Sequence, residues 1–174
     1  MSMLTLPKSS YSVIQSPFGK ITMLTVAGDT TSVIGCGFGP TDTLISRVLA
    51  TRDLQEVKPG RAPKDVTNLL EQWIAGDLGA LNQISVQQFG TKFRQECWKA
   101  MRSIKPGQTM SYALLAQKTS SKSAVRAAAT ACAANLIAPI VPCHRVIKSD
   151  GTIGGYGYGV ALKEQLLAHE NAAL

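Results

Sequence analysis

The sequence predicts an α+β protein: a small α/β N-terminal domain with a short antiparallel sheet, then a mostly α C-terminal domain containing a helix-turn-helix. Three observations carry this. β-Rich runs with period-two character are confined to the first third of the chain. Beyond residue 90, apolar residues recur at helical spacing between short breaks. Hydrophobic residues make up 45% of 174, which can furnish a buried core and excludes wholesale disorder.

In chain order, Tyr11-Ser-Val-Ile alternates as a strand, and Ser16-Pro-Phe-Gly makes a turn. Two further strands follow, Lys20 to Val26 and Ser32 to Phe38, with Gly28-Asp29 as the hairpin tip between them. Thr41 or Asp42 caps a helix that carries Leu44, Ile45, Val48 and Leu49 on one face. Residues 51–63 hold two prolines, a glycine and mixed charges, and read as a loop. A helix from near Asp65 to Ala75 follows, with Val66, Leu69, Leu70, Trp73 and Ile74 as its stripe and Gly76 as its stop. The stretch through Val86 to Gly90 reads as a linker, so a domain boundary falls near residue 88, dividing 1–88 from 89–174.

In the second part, Thr91 caps a helix bearing Phe93, Cys97, Trp98, Met101 and Ile104, which Lys105-Pro-Gly ends. A short helix from Tyr112, a turn at Thr119-Ser-Ser-Lys and a helix from Ser123 to Ala134 make the helix-turn-helix. The apolar run Pro139-Ile-Val-Pro leads into Cys143-His-Arg-Val. Ser149-Asp-Gly is a turn, and the glycine-dense Gly154 to Gly159 precedes a last helix from Val160 to about Glu170.

Eighteen Lys and Arg against eleven Asp and Glu leave a formal charge of +7. Residues 1–89 hold seven of each sign, so the whole excess lies in residues 90–174. Such a balance points to nucleic acid, or less often to an anionic membrane surface, met by the second half. No stretch of about 18 apolar residues occurs, so no transmembrane span is expected. The opening MSMLTLPKSS lacks the basic and apolar regions of a secretory signal. Cys36, Cys97, Cys132 and Cys143 form no CxxC pair and combine with neither His144 nor His169 at zinc spacing, so they read as reduced thiols.

Cys143-His144 is the leading chemical candidate. An adjacent imidazole that takes the thiol proton raises the thiolate fraction. Neighbours on an extended strand point to opposite faces, so direct contact needs a turn or a bridging water. The dipeptide equally fits a buried structural cysteine beside a hydrogen-bonded histidine. Pro139 and Pro142 favour fixed geometry before the thiol, and the downstream glycines allow a close-fitting loop. Glu170 would suit as the carboxylate that orients an imidazole, with His169 competing for that inference. From Ala124 to Ala134 seven of eleven residues are alanine and Arg126 is the only charge. That face suits close approach to a narrow groove, and equally a buried helix. Cys36, Cys97 and Cys132 read as core thiols, and Trp73 and Trp98 as packing residues.

Ile140-Val-Pro-Cys-His-Arg-Val-Ile resembles the active-site motif of the O6-alkylguanine-DNA alkyltransferases, also called methylated-DNA–protein-cysteine methyltransferases. Similar motifs recur in the family's order at Gly90-Thr-Lys-Phe-Arg-Gln-Glu-Cys-Trp, Met110-Ser-Tyr-Ala-Leu-Leu-Ala, Ala124-Val-Arg-Ala and Cys132-Ala-Ala-Asn. Gly154-Gly-Tyr and Lys163-Glu-Gln-Leu-Leu-Ala-His-Glu complete the resemblance over residues 90–170, whereas the first half matches mainly at Ser16-Pro-Phe-Gly-Lys and the helix near Trp73. The resemblance implies direct reversal of DNA damage in a single-turnover suicide reaction. O6-alkylguanine, chiefly methyl and with O4-alkylthymine as a further substrate, is flipped from duplex DNA. Its alkyl group then moves irreversibly to Cys143.

By the same resemblance, His144 is the base that deprotonates the thiol through a water, and Glu170 holds its imidazole. Tyr112 assists the leaving guanine with a proton, and Asn135 is the hinge between the recognition helix and the active-site strand. Val146, Tyr156, Gly157, Tyr158 and Cys132 fall at pocket positions. Arg126 matches the arginine finger that fills the gap left by the flipped nucleotide. Ser123, Ala127, Thr91, Lys92 and Arg94 are the expected DNA contacts. The implied partners are double-stranded DNA, met through the minor groove, and the alkylated base. No cofactor, metal or membrane is implied, and the protein is expected as a monomer, in the cytoplasm if bacterial and the nucleus if eukaryotic.

Two positions depart from the family pattern. Tyr158 stands where many relatives carry a small residue, which narrows the expected range of bulky adducts. Ala138 replaces a proline common in some members. The first half, with one cysteine and no histidine, lacks the ligands of the zinc site that some relatives hold. Two other classes fit part of the pattern: a non-catalytic DNA-binding module, which leaves Pro-Cys-His-Arg unused, and a Cys-His-Glu hydrolase, which leaves the basic charge unused.

Overall fold

In a computed structural model of the chain, residues 8–28, 30–54 and 56–171 are described. The N-terminal half is built on a sheet of order β3-β2-β1-β4. β1 (Ser9–Ser16) and β2 (Gly19–Val26) pair antiparallel through the Ser16-to-Gly19 turn, where Ser16 Oγ accepts from Phe18 N at 3.1 Å. β3 (Ser32–Gly37) pairs antiparallel with β2. The Gly28-Asp29 tip predicted between them includes Asp29, which lies outside the described residues.

α1 (Thr41–Leu49) packs on β3, burying Leu44 and Val48. A Cβ at Gly35 would sit 2.8 Å from Val48 Cγ2, so only glycine lets the helix come this close. Neither expected side chain caps α1: Pro40 holds the N-cap position, and Thr41 Oγ1 instead meets Thr22 Oγ1 at 2.9 Å. Part of the loop expected over 51–63 is a strand, β4 (Val57–Pro59), parallel to β1 at the sheet edge. An edge position tolerates Pro59, which the sequence pattern alone reads as a breaker. α2 (Lys64–Ile74) buries Val66, Leu70 and Trp73 as its stripe predicts.

The segment expected to be a linker is stitched to the sheet. Val33 N donates to Ser85 O and Gln87 N to Val33 O, both at 2.9 Å. α3 (Lys92–Ser103) follows, with Thr91 Oγ1 accepting from Arg94 N as predicted. The helix-turn-helix comprises α4 (Tyr112–Gln117) and α5 (Val125–Ala133). Its Ala-rich helix serves both ends that the sequence left open. Ala128 and Ala131 are fully buried, with Trp98 Nε1 donating to Ala131 O at 2.9 Å, while Ala127 and Ala129 are exposed. β5 (Met110–Ser111) and β6 (Val146–Ile147) form a short parallel pair, and α6 (Val160–His169) closes the fold.

One contact between the halves positions the site. β3 pairs with the chain just ahead of the thiol, Cys36 N donating to Leu136 O at 2.7 Å and Ala138 N to Cys36 O at 3.0 Å. The sheet thereby fixes the start of the segment that ends at Cys143.

Candidate active site

Asn135 leaves α5 and is buried, with every side-chain bond directed at the thiol segment. Its Oδ1 accepts from Ile137 N at 3.0 Å, while Nδ2 donates to Val141 O at 2.7 Å and to Cys143 Sγ at 3.1 Å. One amide thus ties the end of α5, the Pro139–Pro142 run and the thiol together. Cys143–Arg145 is a 3-10 turn and not an extended strand, so the opposite-face alternation of a strand does not apply to Cys143 and His144. Burial pushes the Cys143 thiol above its ordinary pKa, and the Asn135 hydrogen bond and Lys163 charge oppose that rise.

His144 is fully buried, and its Nε2 lies 3.0 Å from Glu170 Oε1, while Nδ1 has no hydrogen-bond partner among the described residues. Burial lowers the imidazole pKa, so the ring is neutral and available as a base; the Glu170 carboxylate counters that shift in part. His169, the competing candidate, is engaged elsewhere, with Nε2 2.9 Å from Trp73 O and its ring edge-on to Phe18 and Trp73. Glu170 is further clamped by Arg145, whose Nε and Nη2 donate to its two oxygens at 2.9 and 2.8 Å. Burial alone would raise the Glu170 pKa, but the bonds from His144 and Arg145 outweigh it and draw it down to about 2.

The Cys143 side chain opens on a cavity of about 280 Å³. Tyr112, Cys132 and Asn135 form one part of its wall, and Tyr156, Gly157 and Tyr158 another. Burial, with help from Cys132 and Cys143, pushes the Tyr112 phenol up to about 12, so it enters any reaction protonated. The Tyr158 ring stands edge-on to Tyr156 and to Phe38, each with centroids 5.6 Å apart. Its hydroxyl occupies the space a Cβ at Gly37 would need, so Gly37 on β3 makes room for this wall of the cavity.

Val146 is fully buried, pairs with Met110, and its carbonyl accepts from Lys163 Nζ at 2.6 Å; its side chain is not among those that line the cavity. Among the expected DNA contacts, Ser123, Arg126 and Ala127 are exposed together at the start of α5. Thr91, Lys92 and Arg94 stand at the start of α3, with Arg94 partly buried.

Sequence reasoning gave no role to Arg145 or Lys163. Arg145 belongs to the quoted Pro-Cys-His-Arg run, and its signal was a charge inside an apolar segment, which demands a partner. Lys163, also fully buried, ties the Val146 carbonyl to the Gly155 carbonyl at 3.2 Å. It shares a helical stripe with Leu166, Leu167 and Glu170, a spacing that marks inward-facing positions.

Residues 92–172 match the family described as the DNA binding domain of 6-O-methylguanine DNA methyltransferase. The chain is 31% identical to a methylated-DNA–protein-cysteine methyltransferase of Mycolicibacterium paratuberculosis, over 92% of this chain and 91% of that protein. It is 42% identical to the bifunctional transcriptional activator/DNA repair enzyme Ada of Escherichia coli over 68% of this chain, a match that spans 35% of Ada. The match to the Salmonella typhimurium methyltransferase is 41% identical and covers 64% of this chain and 66% of that one. In structure, the chain is similar to Mycobacterium tuberculosis OGT solved in complex with DNA, with a TM-score of 0.75 at 31% identity, covering 93% of this chain and 92% of that one. Among the described residues no helix is long and apolar enough to cross a membrane.

Proposed function

Because this chain belongs to the methylated-DNA–protein-cysteine methyltransferase family, we propose that it repairs DNA by moving the alkyl group of O6-alkylguanine to Cys143, once per molecule. The observation that carries this is the thiol at the wall of a cavity, hydrogen-bonded by Asn135 and followed directly by a neutral imidazole on a clamped carboxylate.

The reaction is a single displacement. The thiol proton passes through a water to His144, whose Nδ1 is the nitrogen left open once Nε2 meets Glu170. Sulfur then bonds the alkyl carbon as that carbon's bond to the base oxygen breaks, and the bonding pair goes to guanine. Tyr112 donates a proton towards the ring, which lowers the cost of expelling an anion. The proton taken up by His144 replaces, through solvent, the one given up by Tyr112, so both side chains end as they began. The thiol proton is in effect delivered to guanine, and the step balances. The product thioether has no return path, which makes the protein its own co-substrate.

An atom inside the base stack is out of reach of a buried thiol, so the lesion is flipped into the cavity. Arg126, exposed at the start of α5, takes the vacated place, while the exposed Ala127 lets the helix approach the minor groove closely. Ser123, Thr91, Lys92 and Arg94 meet the backbone, and the Gly157 N–H meets the base oxygen. In this reading residues 1–88 are a structural domain and residues 89–174 carry DNA binding and transfer, by a monomer. O4-alkylthymine is a secondary substrate.

The test is a duplex carrying O6-methylguanine labelled in the methyl group. Label moves to protein until one group per molecule is bound and then stops; sustained turnover overturns the proposal.

A further inference from the structure

Among the described residues, the wall of the Cys143 cavity holds a single charged one, and it comes from the half of the chain without net charge. Arg47 lies in the last turn of α1, and its side chain is exposed. Its Nη2 donates to Ala133 O at 3.0 Å. That carbonyl belongs to the last turn of α5, where helix carbonyls lack partners and carry partial negative charge. Among the described residues this is the one hydrogen bond the Arg47 side chain makes, and no carboxylate pairs with it. A guanidinium has about five N–H donors in a planar fork, so most of its capacity remains free, in a shape that fits two phosphate oxygens.

The position along α5 says which phosphate. Arg126 and Ala133 lie seven residues apart in that helix, or roughly 10 Å at the helical rise. One cation therefore stands at each end of α5. Between them Ala129 and Ala133 line the cavity with nothing larger than methyl groups. A nucleotide whose base enters this cavity carries its flanking phosphates to the rim, where Arg126 serves the gap in the stack and Arg47 faces the displaced nucleotide.

We propose that Arg47 is a specificity residue that hydrogen-bonds a phosphate flanking the flipped nucleotide, so that the N-terminal half makes the protein prefer lesions in DNA over free alkylguanine. The assignment rests on the transfer reaction proposed above. The bond to Ala133 O holds the side chain in place over the cavity before DNA arrives, which limits the entropy lost on binding.

The experiment compares wild type, Arg47→Ala and Arg47→Lys on a duplex carrying O6-methylguanine and on the free base O6-methylguanine, with duplex affinity measured across a salt series. For Arg47→Ala the transfer rate on duplex falls at least about tenfold further than on the free base, the loss of one charge-assisted bond. The salt slope of its duplex affinity shrinks by about one, the signature of one lost phosphate contact. Arg47→Lys keeps the slope and recovers part of the duplex rate, since the charge remains and the fork does not. Equal losses on both substrates, or an unchanged slope in Arg47→Ala, assign Arg47 to holding α5 in place and overturn the proposal. The slope is read without any transfer, so a wild type that moved no alkyl group would overturn the reaction and leave this arm to decide on Arg47.

Discussion

Replacing Glu170 by Gln keeps the shape of the side chain and removes the charge on which His144 and Arg145 converge. Both carboxylate oxygens accept from Arg145, and the side chains of Arg145 and Glu170 are 3% and 0% exposed. The variant therefore leaves a buried guanidinium without a counterion, a loss of about 3–5 kcal/mol. The carboxyl's own titration gives an independent figure. Its pKa of about 2, against 4.5 for the free group, corresponds to about 3 kcal/mol at neutral pH. Because the folded pKa is the lower one, this stability is complete above the unfolded value and is lost as pH falls towards the folded one. Between neutral pH and about pH 3 the wild type gives up about 2 kcal/mol of it. The glutamine variant has no such proton to bind.

The assay is urea unfolding of both proteins across that pH range, with Tm as a second reading. The variant is less stable by about 3–5 kcal/mol at neutral pH, a drop of very roughly 6–20 °C for a chain of this size. The gap narrows by about 2 kcal/mol near pH 3. A neutral-pH gap under about 1 kcal/mol, or one that stays constant with pH, refutes the claim that a charged Glu170 organises the site.

Other expectations concern the reaction itself. Tyr112→Phe slows methyl transfer by roughly 10²-fold or more, the usual worth of a positioned proton donor, measured by quenched single-turnover kinetics; an unchanged rate removes Tyr112 from the chemistry. Asn135→Ala removes the hydrogen bond that opposes the raised thiol pKa. The reaction of Cys143 with a small thiol reagent then shifts to higher pH, while a pH profile like the wild type's contradicts that role. Tyr158→Ala opens the cavity wall and speeds transfer from O6-benzylguanine relative to O6-methylguanine, and an unaltered ratio shows that this ring does not limit adduct size. Arg126→Ala impairs transfer from duplex more than from the free base, and equal losses count against an arginine finger.

The strands, the stripes of α2 and α3 and the helix-turn-helix were legible because each follows a local rule: alternation, helical period, or a capping residue such as Thr91. β4 was not, because the pairing of Val57 to Pro59 with β1 is a long-range fact and a proline in an edge strand looks locally like a loop. The same limit hid the β5–β6 pair, in which Val146 is the partner of Met110. Cys143 and His144 stood out as a dipeptide, but the choice of Glu170 over His169 as partner depended on which face of α6 turns inward. His169 faces Trp73, and Glu170 joins Lys163, Leu166 and Leu167 on the buried side. That stripe mixes two charges with two leucines, so a search for apolar periodicity passes over it. Arg47 was hidden for a different reason. Nothing in the local sequence of α1 says that its last turn meets the far end of α5.

In the proposed reaction Cys143 is the sole, irreversible acceptor. Incubation with an excess of duplex containing O6-methylguanine, followed by peptide mapping by mass spectrometry, tests this. The expected result is one methyl group per protein, all of it on the peptide that holds Cys143 and none on those holding Cys36, Cys97 or Cys132. Methyl on another cysteine, transfer that survives Cys143→Ala, or an unmodified protein after guanine has been restored would contradict it.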